Sequence, residues 1–245
     1  MAGDEGHEAG AGGSGRPSKF FGRRKGKGLK ASQQRLLAET LPRLQVAADA
    51  PIADPAALFD APVEQVWLEI GFGAGEHLLV QARADPAVGL IGCEPFVNGV
   101  AKVLQAIDGE PALGRRIRLF ADDARLLLDA LPPASVDRLF VLFPDPWPKR
   151  RHWARRIVGP ETIPAFARVL KPGALMRLAT DHPGYLRWML FHLTVAQGAR
   201  DAFDWLDEGP SDWAAREPDW PQTRYERKAL AGRPTYLRFR RRRAA

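Results

Sequence analysis

The chain has 245 residues, 45% of them apolar, enough to bury the core of one large α/β domain or two small ones. Its 36 Lys and Arg outnumber 29 Asp and Glu, giving a net charge of +7 and a pI near 9.9, a balance that favours a polyanionic partner. Cys93 is the only cysteine, which excludes an intrachain disulfide and any zinc site built on paired cysteines, and no apolar run is long enough to cross a bilayer. The N-terminus is Gly-rich and charged where a secretory leader needs an apolar stretch, so a cytoplasmic protein, with neither membrane nor metal, is expected.

Residues 1 to about 30 combine Gly, Ser and charge with almost no apolar periodicity, and read as a disordered basic arm before a single domain over 31–245. The run from Phe21 to Lys30 can neutralise phosphates. Leu36, Leu37 and Leu41 recur at helical spacing from Ser32 on, and Pro42 is expected to close that helix. After a Pro/Ala/Asp loop, short apolar strands alternate with helical segments. Strands are expected at Gln65–Ile70, Gly89–Glu94, Arg116–Ala121, Val136–Phe143 and Ala174–Thr180, and helices near Glu76–Arg83, Val97–Ile107, Ala124–Leu131 and Glu161–Leu170. Repeats of this length are those of parallel βαβ units in a doubly wound sheet. Past Pro183 a further amphipathic helix (Tyr185–Ala196) is followed by two short apolar segments, Ala202–Leu206 and Thr235–Arg240, expected to pair as an antiparallel C-terminal edge.

Ligands of open α/β sheets sit at the carboxyl ends of the strands. Glu69, Glu94, Asp123 and Asp145 each stand at or just past such an end, and Asp181 follows the next strand. One acid there is most simply a helix cap or a solvated loop residue; recurrence on one edge points to a site. The first strand runs into Gly71-Phe72-Gly73-Ala74-Gly75, whose glycines allow sharp turns and close approach to a ligand. The run departs from the dinucleotide fingerprint, since Glu76 stands where its last small residue belongs, which disfavours a nicotinamide dehydrogenase. Glu69 suits a cationic ligand with amine or hydroxyl donors, and Glu94 a ribose diol. S-adenosylmethionine, a sulfonium carrying an ammonium and a ribose, fits both, and Asp123 is then placed to receive its adenine amino group.

The most distinctive stretch is Phe143-Pro144-Asp145-Pro146-Trp147-Pro148, continuing through Lys149, Arg150, Arg151, His152, Trp153, Arg155 and Arg156. Prolines on both sides of Asp145 restrict its backbone and place its carboxylate at low entropic cost. Trp147 either stacks on a base or packs under the loop. The arginines are placed for phosphates, and His152 among them reads as an RNA or structural contact. Cys93, in a strand, reads as a small buried hydrophobe.

These motifs, with Gly92-Cys93-Glu94, Ala179-Thr180-Asp181 and Thr223-Arg224-Tyr225-Glu226, occur in the order seen in bacterial tRNA (guanine-N7-)-methyltransferases of the TrmB type, which the chain resembles from about Arg23 to Arg240. The resemblance implies a Rossmann-like class I methyltransferase that acts on the variable-loop guanine, position 46 in tRNA numbering. By motif, Glu69, Gly71, Gly73, Glu94, Asp123 and Asp145 line the S-adenosylmethionine site, with Asp145 also catalytic. Lys149, Arg150, Arg151, Arg155, Arg156, Asp181, Thr223, Arg224, Tyr225 and Glu226 meet the tRNA. The departures are mild: Asp122-Asp123 doubles an acid that the family usually has singly before Ala, with Asp123 the better match, and Pro148 stands where members often carry a polar residue. An exocyclic-amine nucleic-acid methyltransferase and a non-catalytic RNA-binding protein on this fold are the alternatives. Nothing in the sequence selects between a monomer and a homodimer.

Overall fold

The computed structural model describes residues 22, 24–196, 201–228 and 231–243. Two short helices, α1 (Ala31–Glu39) and α2 (Leu41–Leu44), open the domain. Pro42, expected to close the first, instead lies in the first turn of the second, where its missing N–H has no partner to lose. The alternating part follows as β1 (Gln65–Ile70), α3 (Glu76–Ala84), β2 (Val88–Cys93), α4 (Val97–Gly109), α5 (Pro111–Gly114), β3 (Ile117–Phe120), α6 (Ala124–Ala130), β4 (Val136–Leu142), α7 (Ile163–Val169) and β5 (Leu170–Thr180). Then come α8 (Pro183–Leu190), extended by a π-turn over Phe191–Val195, β6 (Phe203–Trp205), α9 (Pro210–Ala214), α10 (Arg224–Lys228) and β7 (Thr235–Arg241).

The seven strands form one sheet in the order β3-β2-β1-β4-β5-β7-β6. The first five are parallel, and β7 runs antiparallel to both of its neighbours. The antiparallel pairing of the last two segments is as expected, but β7 is interior and β6 alone is the edge. From β1 the chain winds outward through β2 and β3, then returns to lay β4 on the other side of β1. Neighbouring loops therefore diverge at the carboxyl ends of β1 and β4, the switch point where such sheets bind ligands.

Alternation along β1 divides the core. Val66, Leu68 and Ile70 pack with Leu139, Val141 and Phe166 on one face, while Trp67 joins Leu78, Leu104 and Phe140 on the other. Leu68 is fully buried, and truncating such a leucine to Ala costs about 2–5 kcal/mol. Cys93 is buried as expected. No helix among the described residues is long and apolar enough to cross a membrane.

Of the arm expected over 1–30, residues 1–21 and 23 lie outside the described residues. Residues 24–27 are held on the start of α4: Val97 N donates to Arg24 O (2.9 Å), Gly26 N to Asn98 Oδ1 (2.7 Å) and Asn98 Nδ2 to Lys27 O (2.8 Å). Backbone bonds to a rigid helix offset the ordering entropy that apolar burial does not.

Candidate active site

At the carboxyl end of β1 the glycine loop turns through left-handed backbone, with φ of 56° at Gly73 and 77° at Gly75. A side chain at Gly75 would also drive its Cβ to 2.2 Å from Val103, and one at Gly99 in α4 would come within 2.0 Å of Gly73 O. The loop and the start of α4 therefore touch backbone to backbone. Glu94, just past β2, binds both: Oε2 accepts from Gly73 N (2.8 Å) and Oε1 from Phe96 N (2.9 Å). Burial nevertheless raises its pKa above the ordinary carboxylate value, against those two bonds, and the charges of Asp145 and Glu69 push the same way.

Glu69 is buried at the end of β1, with Oε2 2.7 Å from His77 Nδ1. His77 lies edge-on to Phe140 and Trp220, and its Nε2 has no hydrogen-bond partner among the described residues. Asp123 caps α6: Oδ1 accepts from Arg125 N (3.0 Å) and from the Arg125 guanidinium (3.2 Å). Its buried Oδ2 has no partner among the described residues. Asp122 points the other way, to Arg24 at 2.5 Å, so of the doubled acids it is Asp123 that lines the cleft.

These groups surround a cavity of about 620 Å³, lined by Glu69, Gly71, Gly73, Glu94, Asp123 and Asp145 alike. All six residues expected to hold the cofactor thus meet in one place. They fit S-adenosylmethionine on their own chemistry. Three acids favour a cation, the unpartnered Asp123 oxygen can accept from an amine, and the space beside the Gly71 and Gly73 backbone is open to a ligand.

Across the cleft, β4 ends in the proline-flanked turn. Phe143 and Trp147, on either side of Asp145, both take left-handed backbone, with φ of 50° and 41°. Such conformations cost on the order of 1–3 kcal/mol each in non-glycine residues and persist only where surrounding contacts impose them. Phe143 is tied by its N–H to Ala179 O (2.8 Å). Asp145 is exposed at the cleft wall, yet the walls desolvate it enough to raise its pKa. Trp147 lines the cavity with the Arg155 guanidinium over its ring at 5.0 Å and His152 edge-on at 5.7 Å. Desolvation and the charges of Arg155, Arg151 and Lys149 lower the His152 pKa.

The basic tract forms a 3-10 turn over Arg150–Arg155, missed in the sequence because adjacent charges show no apolar period. Lys149, Arg150 and Arg151 are exposed, and Arg155 lines the cleft. Arg156, expected to meet phosphate, does not face solvent: it is 4% exposed, with its guanidinium among Trp153, Tyr185 and Trp188. Of the basic residues from Arg238 to Arg243, Arg240, Arg242 and Arg243 are exposed, and three of the run are engaged with the rest of the fold. Arg238 pairs with Asp207 (2.6 Å) and Glu217 (3.2 Å), Arg242 pairs with Asp204 (2.8 Å), and Arg241 donates to Ala167 O (2.8 Å).

Thr223, Arg224 and Tyr225 close the third side of the cavity, joined to the start of α3 where Arg224 N donates to Glu76 Oε2 (2.5 Å). Burial and the charges of Asp181 and Asp145 raise the Tyr225 phenol pKa. Glu226, expected on the RNA side, is buried and accepts from Arg216 and from the Tyr236 hydroxyl, both at 2.7 Å, so it braces this wall from behind. Asp181 is also buried, with Oδ2 accepting from Ala231 N (3.1 Å). Both carboxylates expected on the tRNA side are thus buried and hydrogen-bonded within the fold. His77 and Arg125 line the cleft and Gly99 packs behind its glycine loop, all without a sequence signal, since each owes its place to a neighbour distant along the chain.

The fold and the acid-lined cleft at its switch point are those of a class I methyltransferase. A solved structure of similar fold is a mutant of the 16S rRNA (adenine(1408)-N(1))-methyltransferase from Catenulisporales acidiphilia with cosubstrate SAM. Its TM-score is 0.55 at 16% identity, over 81% of this chain and 92% of that one. A family model described as "Putative methyltransferase" matches residues 63–236. The tRNA (guanine-N(7)-)-methyltransferase of Rhodospirillum rubrum is 53% identical over 92% of this chain and 88% of its own. That of Azorhizobium caulinodans is 50% identical over 90% and 94%. The chain belongs to the tRNA (guanine-N(7)-)-methyltransferase family.

Proposed function

We propose that this chain methylates N7 of a guanine in tRNA, giving 7-methylguanosine, with S-adenosylmethionine as methyl donor and Asp145 as the residue that orients the base. The carrying observation is one cavity lined together by Glu69, Glu94 and Asp123, by the Asp145 turn and by Arg155 of the basic tract. When bound, S-adenosylmethionine supplies an electrophilic methyl group on a sulfonium. Glu69, Glu94 and Asp123 hold it through its amine and hydroxyl donors, and their negative charge favours the cation.

Guanine N7 carries a lone pair and no proton, so the reaction needs no general base, in keeping with a turn that presents one carboxylate and no paired histidine. Positioning is then the main contribution, worth up to roughly 7–11 kcal/mol when the nucleophile is held at attack distance. The Asp145 carboxylate accepts from the guanine N1–H and amino group, and its charge favours the cation that develops on the imidazole ring. Lys149, Arg150 and Arg151 neutralise phosphates beside the cleft, and Arg155, Thr223, Arg224 and Tyr225 close it around the base.

The family resemblance directs the reaction to the variable-loop guanine, position 46, and a tRNA substrate supports a cytoplasmic enzyme. Incubation with unmodified tRNA and labelled S-adenosylmethionine, followed by mapping of the modified nucleotide, tests the reading. 7-Methylguanosine at that position is expected; methyl groups on an exocyclic amine or on an adenine would refute it.

A further inference from the structure

Among the tract's cations, Arg156 is the one whose surroundings match no RNA contact. It is buried, and its guanidinium lies 4.9 to 5.0 Å from the centroids of Trp153, Tyr185 and Trp188. Its Nε donates to Pro146 O at 2.8 Å, and Nη2 reaches Trp147 O at 3.5 Å. Those carbonyls belong to the two residues that follow Asp145, and the second of them holds a left-handed backbone with φ of 41°. The cage is itself anchored: the Tyr185 hydroxyl accepts from Val158 N (3.0 Å) and Trp188 Nε1 donates to Val158 O (2.9 Å). From the other side, Arg125 reaches Arg155 O (3.3 Å) and Arg156 O (3.4 Å) while holding Asp123.

A strained backbone keeps its shape only where contacts over-determine it, and here the contacts to the Pro146–Trp147 carbonyls come from one planar, always-charged group. Three aromatic faces compensate the charge for lost water, so the guanidinium stays where the carbonyls need it. We propose that Arg156 is a positioning residue for Asp145, fixing the turn from behind so that the carboxylate stays aimed into the cleft. Arg156 thus acts on the rate of methyl transfer without touching the tRNA. The inference rests on Asp145 orienting the base, and the experiment separates the two.

The full chain is assayed with unmodified tRNA in single turnover at saturating tRNA and S-adenosylmethionine, and tRNA affinity is measured over a salt series. Arg156→Met, Arg156→Lys, Asp145→Ala and the exposed-tract variant Arg151→Ala are compared. Arg156→Met is expected to lose about tenfold to a hundredfold in rate, the scale of a misplaced reacting group, while still folded at the assay temperature and with unchanged slope of log affinity against log salt. Arg156→Lys recovers part of the rate, because an ammonium keeps one donor in the cage. Arg151→Ala instead weakens binding and lowers the salt slope by about one.

A salt slope that falls for Arg156→Met as it does for Arg151→Ala, with the saturated rate retained, would make Arg156 a phosphate contact and overturn the inference. A rate loss that only tracks the unfolded fraction would overturn it as well. Should Arg156→Met fail to fold, Arg156→Lys decides on the same readouts. If Asp145→Ala is inactive while both Arg156 variants keep full rate, only this inference fails; if Asp145→Ala keeps full rate, the role given to Asp145 fails with it.

Discussion

The two walls of the cleft hold their acids by different means. On the glycine-loop wall, Glu69, Glu94 and Asp123 sit at the ends of β1, β2 and β3, and each is fixed by a partner on the element that follows. On the opposite wall, Asp145 has no such bond among the described residues; its turn is constrained by two prolines, two left-handed residues and the buried Arg156 behind it. A wall built on regular backbone presents its carboxylates whether or not a ligand is there. A wall built on a strained turn depends on side chains that never meet the ligand, and its function is open to loss from a distance.

The largest expected effect falls on the strained wall. Asp145→Ala should lower turnover on the order of 100-fold or more, the scale for one preorganised electrostatic partner, with a much smaller change in tRNA affinity. Equal losses of rate and affinity, measured in single turnover and by filter binding, would make Asp145 a binding group and erase the contrast between the walls.

On the regular wall, Glu94→Gln is expected to cost about tenfold or more in S-adenosylmethionine affinity by calorimetry, since a hydrogen bond to a charged group is worth about 1.5–3 kcal/mol. Because the Glu94 pKa is raised, the wild-type affinity for a cation should weaken as pH falls through that raised value, and the pH dependence should flatten in Glu94→Gln. Next in size is Gly99→Ala. A Cβ at 2.0 Å from Gly73 O forces loop and helix apart, for about 1–3 kcal/mol of stability and a weaker cofactor site, read from thermal melts with and without ligand.

Lys149→Ala sharpens the comparison from the RNA side. It should weaken binding of all RNAs alike and lower the salt slope by about one. The smallest effect is on stability. The folded-state pKa of Asp145 is raised, so its ionised form is disfavoured by folding; the group favours the fold at low pH, and that contribution is lost as pH rises through the raised pKa. At neutral pH, Asp145→Asn should therefore melt no lower than the wild type, though inactive. A clear fall in melting temperature would mean that the charge holds the turn.

The same division explains what was legible in the sequence. The strand-end acids, the glycine loop and the parallel part of the sheet could be read because apolar period and loop chemistry are local signals, and β1 falls on the expected residues. Arg150, Arg151 and Arg156 look alike in the chain, and the fold turns two outward and one inward. That choice depends on Tyr185 and Trp188, some thirty residues on, and no local pattern reports it. The burial of Glu226 is illegible for the same reason, since its partner Tyr236 belongs to a strand whose interior position depends on pairing with β5. The Glu69–His77 contact joins a strand end to the following helix, and Phe140 and Trp220, distant along the chain, pack edge-on to its imidazole.

The interior place of β7 bears on synthesis. Thr235–Arg241 pairs with both β5 and β6, yet it emerges from the ribosome after every other strand of the described sheet. The wall carrying Thr223 to Tyr225 is tied to that strand through Glu226 and Tyr236, so it is completed in the same event. A nascent chain stalled before Thr235 has the cofactor wall but lacks the strand that braces the RNA wall. Vectorial translation thus orders the two halves in time, with the wall carrying Thr223 to Tyr225 completed last.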